Sequence, residues 1–320
     1  MSSSFTHLFQ NLPLEIIDII IDLYIHSDQS QPSYPRNGLA APGTRLSRLA
    51  CLSHEMFERC NRHTWKNVLI NLGSPPSQGS IRSLERLLKV GPEITYHIRN
   101  IKVEIFLSIG DVSSGALLPF LRMTRDALTQ LVGPRIKRFD LEISFVDQQN
   151  PDGSLRMTWV TFQELTREIL SYVSHCRNLE VLKIIGEPTW FDHGTLAQVI
   201  NRMPHLTQFE YISRPAEVVP DFQSGSAYQT LSLALSSLRK LERLSLLELF
   251  LPHGSWCSIK WNNSLMSLSV GNHAGDCERS MLEFVSQWQH SPQNLGTDQL
   301  NMFQDQLPKN FRLHLHSLNH

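Results

Sequence analysis

The feature that most constrains this chain is a recurring unit of a helix, a short polar joint and a strand of the form L-x-x-L-x-L, in which other large apolar residues replace some Leu. One helix and one strand cannot bury an apolar face by themselves, whereas units stacked side by side bury it in a continuous core. The sequence therefore predicts a parallel sheet with helices packed along it. The strand patterns fall at 98–105, 136–143, 179–184, 206–211, 241–246 and 265–270, with a possible seventh at 311–315.

The spacing of these units is uneven. The second apolar residue of each pattern marks its phase, and successive marks are 38, 43, 27, 35 and 24 residues apart. Two of these five steps lie within the 20–29 residues typical of leucine-rich repeats. The longer steps contain extra polar stretches, such as 148–157 and 214–226. We therefore predict an irregular leucine-rich-repeat-like α/β solenoid over 81–320, and an ordinary domain of βαβ units is the alternative. The phase marks are Ile101, Phe139, Leu182, Phe209, Leu244 and Leu268.

The N-terminal region has a different pattern. Pro13 suits the first turn of a helix, where its missing N–H costs nothing. Glu15, Asp18 and Asp22 then fall on one stripe, which we interpret as solvated, and this spacing favours a helix over a strand. The apolar residues of 16–24 cover an arc of roughly 200°, about twice what one core requires. Such a helix is either deeply buried or has one side for its own fold and one for a partner.

Two polar stretches divide the chain after this helix. Residues 27–44 are rich in Pro, Ser and Gly and predict an exposed loop, and 74–80 form a second breaker. Between them we predict another helix and a short strand at 68–70. The predicted organisation is a helical domain at 8–70, a linker at 71–80 and the repeat region at 81–320. The apolar positions of the second helix are Leu46, Leu49, Ala50, Leu52 and Met56.

Residues 12–70 resemble an F-box, the helical motif that binds the adaptor of SCF-type cullin–RING ubiquitin ligases. The resemblance is carried by the opening Leu12-Pro13-x-Glu15 with Ile16 and Ile20, by the segment 49–56, and by Trp65 before a strand. Three positions depart from the family pattern: Ser53, His54 and Met56 stand where Cys, Arg and Trp are usual. The segment 83–101 is similar to the join between F-box and repeats in proteins of mushroom-forming fungi.

The resemblance implies a non-catalytic substrate receptor. The N-terminal helices would bind the ligase adaptor, and through it a cullin, while the repeats would hold an unknown target protein on their concave face. The charged residues predicted for that face are mixed in sign, so they do not indicate the target's charge: Lys102, Glu104, Asp140, Glu142, Lys183 and Glu210. The residues implied for adaptor binding are Leu12, Pro13, Glu15, Ile16, Ile20, Leu49, Leu52 and Met56.

The motifs of common enzymes are missing from the sequence. It contains no G-x-G-x-x-G, no G-x-x-x-x-G-K-[ST], no G-x-S-x-G, no H-E-x-x-H and no C-x-x-C. His314 and His316 alternate on a predicted strand without nearby Cys or carboxylate, and neighbours such as His175 and Cys176 point apart on a helix. We expect no catalytic residues, no cofactor and no metal site. Two rivals remain: a repeat scaffold capped by the N-terminal helices, and an enzyme of unknown type on an α/β fold.

Charge and hydropathy exclude other classes of function. The net charge is −1 with 29 basic and 30 acidic residues, whereas a protein that neutralises nucleic-acid phosphates has a basic excess. No apolar run reaches the roughly 18 residues of a membrane span. The first residues lack the pattern of a secretory signal, and the five Cys are widely spaced. We therefore expect no nucleic-acid or membrane partner, reduced cysteines, and a cytoplasmic or nuclear location.

Overall fold

A computed structural model gives the fold as mixed α/β, with an eight-stranded parallel sheet among the described residues. The α/β class predicted from the sequence is confirmed. The described residues are 12–26, 54–73, 78–107, 118–145, 155–186, 191–213, 225–247, 259–261, 265–272 and 312–317, and all structural statements concern these.

The order of strands in the sheet follows their order in the chain. Each strand hydrogen-bonds in parallel to the one before it, so the sheet grows at one edge throughout. The strands are β1 (Asn67–Leu72), β2 (Asn100–Leu107), β3 (Arg138–Phe145), β4 (Val181–Gly186), β5 (Gln208–Ser213), β6 (Arg243–Leu247), β7 (Ser267–Asn272) and β8 (Arg312–Ser317).

The helices described between these strands contact one another in succession on one face of the sheet. Apolar residues spaced three and four apart give each longer helix one face to bury, as the sequence predicts for units of this kind. The first two described helices precede β1, and the others follow it: α1 (Leu14–His26), α2 (His54–Trp65), α3 (Gln78–Leu87), α4 (Pro92–Thr95), α5 (Leu118–Leu131), α6 (Leu155–Val173), α7 (His193–Asn201) and α8 (Gly225–Ser236).

The register of the sheet confirms the phase assigned to the repeating unit. Every phase mark pairs with the next, from Ile101 with Phe139 through to Leu268 with Leu313. Because side chains alternate across a strand, this register places the L-x-L residues of successive strands on one face. They form a single buried core with the inward faces of the helices. The strand predictions are therefore confirmed, including the possible seventh at 311–315.

The structure corrects three local expectations. Residues 54–65 form α2, which continues nine residues past Met56, the last apolar position named for the second predicted helix. Helix α6 begins at Leu155, inside the extra polar stretch 148–157. Asp18 is ion-paired with Arg59 and does not belong to a purely solvated stripe. The sequence also indicates helices near 277–288 and 297–307, and these, like the part of the second predicted helix before His54, lie outside the described residues.

The sheet crosses the predicted domain boundary. Strand β1 begins before the predicted linker 71–80, extends into its first two residues and pairs with β2 along its whole length. Trp65, the last residue of α2, is 7% exposed and belongs to the main core. The end of the N-terminal region is thus built into the sheet, while the division into domains stays a prediction.

The joints that lead into the strands are bonded in the same repeating way. In each joint, the residue two positions before the phase mark donates its N–H to the carbonyl of the equivalent residue in the preceding unit. Arg99 N lies 3.0 Å from Lys66 O, and Lys137 N lies 2.7 Å from Arg99 O. The same contact recurs through Glu180, Thr207 and Glu242. These bonds satisfy backbone groups at the N-terminal ends of the strands and hold successive joints side by side.

We predict that burial of His193 makes stability depend on pH. His193 is 2% exposed and its ring lies edge-on to Tyr211, with Nε2 3.4 Å from the tyrosine oxygen. Burial lowers its pKa to about 4. Between this value and the ordinary 6.5, only the unfolded chain takes up the proton, so stability falls as pH falls. The free energy of unfolding should drop by about 2 kcal/mol from this group between pH 7 and pH 5.

Urea denaturation at the two pH values tests this. His193→Phe should remove that part of the pH dependence, whereas His175→Phe, at an exposed position on the same side of the core, should not. If the His193 variant keeps the wild-type dependence, the account of this histidine is wrong.

Candidate functional site

Helices α1 and α2 pack together around a small core of their own. Its members are Ile17, Ile21, Met56 and Cys60, each at most 4% exposed, with Leu12 packed against them. Ile17 and Ile21 are four residues apart and so share one stripe of α1. This cluster is separate from the large core under the sheet. The two helices therefore form a unit that is attached to the sheet through Trp65.

Arg59 joins the two helices by polar contacts. Its guanidinium donates to Asp18 Oδ1 at 2.8 Å, to the backbone oxygen of Leu14 at 3.3 Å and to Glu55 Oε1 at 3.4 Å. The side chain is only 9% exposed, so its charge needs these partners. His63 Nε2 lies 3.7 Å from the same Asp18 oxygen. Arg59 thereby fixes the first half of α1 against α2.

The opposite side of α1 is apolar and exposed. Ile16, Ile19 and Leu23 are 41%, 52% and 65% exposed, and Ile20 is half-buried. Their spacing of i, i+3, i+4 and i+7 places all four on one face of the helix. The expectation that this helix is apolar on two sides is confirmed. We call these four residues the exposed apolar face of α1.

The residues implied for adaptor binding fall in three places. Pro13 and Glu15 are exposed, and Ile16 and Ile20 belong to the exposed apolar face of α1. Leu12 and Met56 lie in or against the small core, so their side chains act within the fold. Leu49 and Leu52 lie outside the described residues. The sequence analysis missed Ile19 and Leu23, which the i, i+3, i+7 spacing from Ile16 could have identified.

The other candidate surface is the face of the sheet opposite the helices. The charged residues predicted for it do lie in register there, with Lys102 beside Asp140 and Lys183 beside Glu210. They are paired with one another: Lys183 Nζ lies 2.7 Å from Glu210 Oε1, and Lys102 Nζ reaches Glu104 and, at 3.5 Å, Glu142. The side chains of these charged residues, including Asp140, are between 5% and 23% exposed.

A half-buried apolar row lies beside these charges. Ile185, Ile212 and Leu247 follow one another in register across three strands, next to Glu142. They alternate with the core residues, so their side chains lie on the charged face. The sequence analysis did not single them out, although they occupy the alternate strand positions that point to the same side of the sheet as the charged residues. The face thus combines an apolar row with six named charged residues, two basic and four acidic.

The two described cysteines are buried free thiols. Burial raises the pKa of the Cys60 thiol to about 11 and that of Cys176 to about 12, so both are protonated at neutral pH. Within the described ranges, no three His, Cys, Asp or Glu side chains are placed to hold a metal ion. In the same ranges, no helix has the length and hydropathy to cross a bilayer.

The sequence leaves three aromatic residues in loops or near strand ends open as binding candidates: Trp190, Phe191 and Trp256. Phe191 is 2% exposed and packs edge-on to Tyr211, with ring centroids 5.8 Å apart, so it fills the core. Trp261 is 5% exposed and also belongs to the core. Trp190 and Trp256 lie outside the described residues. The exposed aromatic rings of the described residues are Phe57 and Tyr96, which the analysis of the sequence did not single out for binding.

Comparison with models of known protein families and with curated proteins finds no match to this chain. Its candidate surfaces are therefore assigned on their own geometry.

We predict that loss of the Arg59 contacts loosens α1. In Arg59→Met the stem is kept but three hydrogen bonds to charged and backbone oxygens are lost, which should lower the free energy of opening this helix by about 1–3 kcal/mol. Native-state cleavage by chymotrypsin at Leu23 or Tyr24 reports that opening. Arg62→Met, on the exposed side of α2, is the matched control. Equal cleavage rates in wild type and Arg59→Met would show that these contacts do not hold α1.

Proposed function

We propose that this protein is a non-catalytic substrate receptor of an SCF-type cullin–RING ubiquitin ligase. Helix α1 would bind the ligase adaptor, and the sheet would hold the target protein. The observation that carries the proposal is the exposed apolar face of α1, which directly follows Leu12-Pro13 in the segment that resembles an F-box.

The exposure of this face supports a protein partner. Three large aliphatic side chains about half exposed over about two helical turns are costly in water. Covering them would gain on the order of 1 kcal/mol each. Pro13 and Glu15 at the helix start would lie at the margin of the same contact. The fold itself already uses the other side of α1, so the partner does not compete with the core.

The small separate core supports an F-box-like helical unit. Ile17, Ile21, Met56 and Cys60 pack with each other, apart from the core under the sheet. Met56 stands where the family pattern has Trp, and it fills the inside of this unit. An apolar side chain suffices there. On this proposal, Leu12 and Met56 shape the unit, while Ile16, Ile19, Ile20 and Leu23 contact the adaptor.

The remainder of the chain would be an irregular leucine-rich-repeat-like solenoid. The sequential parallel strands, with helices in succession on one face, support this finer assignment. The target would bind the opposite face, over the apolar row Ile185, Ile212 and Leu247 and the paired charges beside it. Ubiquitin transfer would then be accelerated by proximity, since the ligase would hold the target beside the conjugating enzyme.

A scaffold without a ligase partner is the second candidate. Helix α2 runs directly into β1, contacts β1 and α4, and buries Trp65 in the main core. In repeat proteins a terminal cap covers the first apolar face in this way. On this reading α1 would merely complete the cap. The scaffold does not account for the exposed apolar face of α1, which is why we favour the receptor.

We predict that Ile19→Asp combined with Leu23→Asp abolishes adaptor binding. Both side chains are more than half exposed, so the fold should keep its stability while the partner surface becomes charged. The measurement is co-expression with the host's ligase adaptor, followed by pull-down and size-exclusion chromatography. Wild type should form a stoichiometric complex, and the variant should elute alone with an unchanged melting temperature.

The matched control combines Leu233→Asp with Met266→Asp, which are 52% and 44% exposed elsewhere on the chain. It should bind the adaptor like wild type. A wild-type chain that ignores the adaptor would favour the scaffold. An Ile19→Asp/Leu23→Asp variant that still binds would overturn the assignment of the contact to α1.

A further inference from the structure

The charges on the face of the sheet opposite the helices are sorted along the strands. Alternate residues of a strand share a face, so strands β2 to β6, which are in register, carry three rows of side chains there. The row at the start of the strands has arginine as its only charged residue type, and the middle row alternates in sign. The third row, nearest the carboxyl ends, has acidic residues and no basic one. Its members from β2 to β6 are Glu104, Glu142, Ile185, Ile212 and Leu247.

The two carboxylates of the third row are neighbours and are held in place. Glu104 in β2 lies in register with Glu142 in β3, and adjacent strands are about 4.8 Å apart. Asn71 Nδ2 donates to Glu104 Oε2 at 2.7 Å. Lys102 Nζ reaches Glu104 and lies 3.5 Å from Glu142 Oε2, so the two carboxylates together carry twice the charge of this ammonium group. Both side chains are less than one-fifth exposed, so a further positive charge beside them would be stabilised.

An aromatic residue lies beside these carboxylates. Phe106 follows Glu104 by two residues in β2, so its side chain is on the same face of the sheet. It is half-buried and does not belong to the main core under the sheet. The face of an aromatic ring attracts a Lys or Arg cation within about 6 Å. We call Glu104, Glu142 and Phe106 the acidic–aromatic corner, because all three favour a cation at one point.

The apolar row of Ile185, Ile212 and Leu247 continues directly from the acidic–aromatic corner. Three strand intervals separate Glu142 from Leu247, which is about 14 Å. In an extended peptide that crosses the strands, alternate side chains point to one side, and residues i and i+4 are about 13 Å apart. A cation at residue i and apolar side chains at i+2 and i+4 therefore match the length and the order of the third row.

We propose that the third row binds an extended segment of the target protein that carries Arg or Lys at one end and apolar residues at the second and fourth positions from it. The cation would lie at the acidic–aromatic corner, and the apolar side chains would cover Ile185, Ile212 and Leu247. Arg fits best, because its planar guanidinium bonds to two carboxylates and also stacks on a ring. The inference rests on the proposed function, in which this face of the sheet holds the target.

The third row disfavours other kinds of occupant. A nucleic acid would bring its phosphates against Glu104 and Glu142. Within the described ranges, no three His, Cys, Asp or Glu side chains are placed to hold a metal ion. A small organic cation such as a polyamine would leave the apolar row in contact with water. A protein segment that joins a cation to apolar side chains uses both parts of the row.

The test is fluorescence anisotropy with the full chain and labelled nine-residue peptide pools in about 150 mM salt. The arginine pool has Arg with Leu at the second and fourth positions from it, in both chain directions, and mixed uncharged residues elsewhere. In two comparison pools, Glu replaces Arg or Ser replaces both Leu. The arginine pool should bind at least about tenfold more tightly than either comparison pool, because each comparison removes one half of the match.

Variants of the acidic–aromatic corner should change affinity in opposite directions. Glu104→Gln combined with Glu142→Gln keeps the shape of both side chains and should weaken binding of the arginine pool by about tenfold or more. Lys102→Met removes the cation that contacts both carboxylates and should strengthen it by about threefold. The matched control combines Glu180→Gln with Glu242→Gln, which removes two acidic residues from the joints and should bind like wild type.

The apolar row has its own variant and control. Ile212→Ser, at the centre of the row, should weaken binding of the arginine pool by about tenfold, whereas Leu233→Ser, at an exposed position on α8, should not. None of the side chains changed in these variants belongs to the main core. Melting temperatures close to that of wild type should therefore separate loss of binding from loss of fold, and the comparison of pools needs only the wild-type chain.

Three outcomes would overturn the inference. They are an equal affinity for all three pools, including no detectable binding of any; an equal loss in the test and control variants; and spermine competing at the concentration at which the arginine pool half-saturates the protein. The adaptor pull-down tests the proposed function separately. A chain that binds the adaptor but shows one of these outcomes contradicts only the target chemistry inferred here.

Discussion

The rest of the structure depends on the register of the parallel sheet. Phe139, Leu182 and Phe209 stand side by side in successive strands, each fully buried, and the same alignment runs from Ile101 to Leu268. A shift of one residue in any strand would place its apolar side chains on the charged face. The apolar pattern of each unit therefore fixes where its joint, its helix and its polar side chains lie.

The charged face of the sheet follows from that register. Alternation along the strands places Lys183 and Glu210 opposite the core, close enough to pair across strands. The joints are bonded to one another in sequence at the N-terminal ends of the strands, as in Lys137 N to Arg99 O at 2.7 Å. The α1 surface differs, because it is held by a small core and by Arg59 and not by the sheet.

The sequence predicted the strands well because each one carries large apolar residues at alternate positions. It did not predict α2 as a helix over 54–65, because that segment is mostly polar. Its buried side is a narrow stripe of Met56, Arg59 and Cys60, and Arg59 is satisfied by Asp18, 41 residues away. Partners so distant in sequence leave no local pattern.

The central claim is that α1 presents its exposed apolar face to a ligase adaptor while the sheet stays free for another protein. Hydrogen-exchange mass spectrometry of the chain with and without the adaptor tests this most directly. We predict slower exchange in residues 12–26 on adding the adaptor, with exchange in strands β2 to β6 unchanged. Unchanged exchange in α1, or protection centred on the strands, would contradict the account.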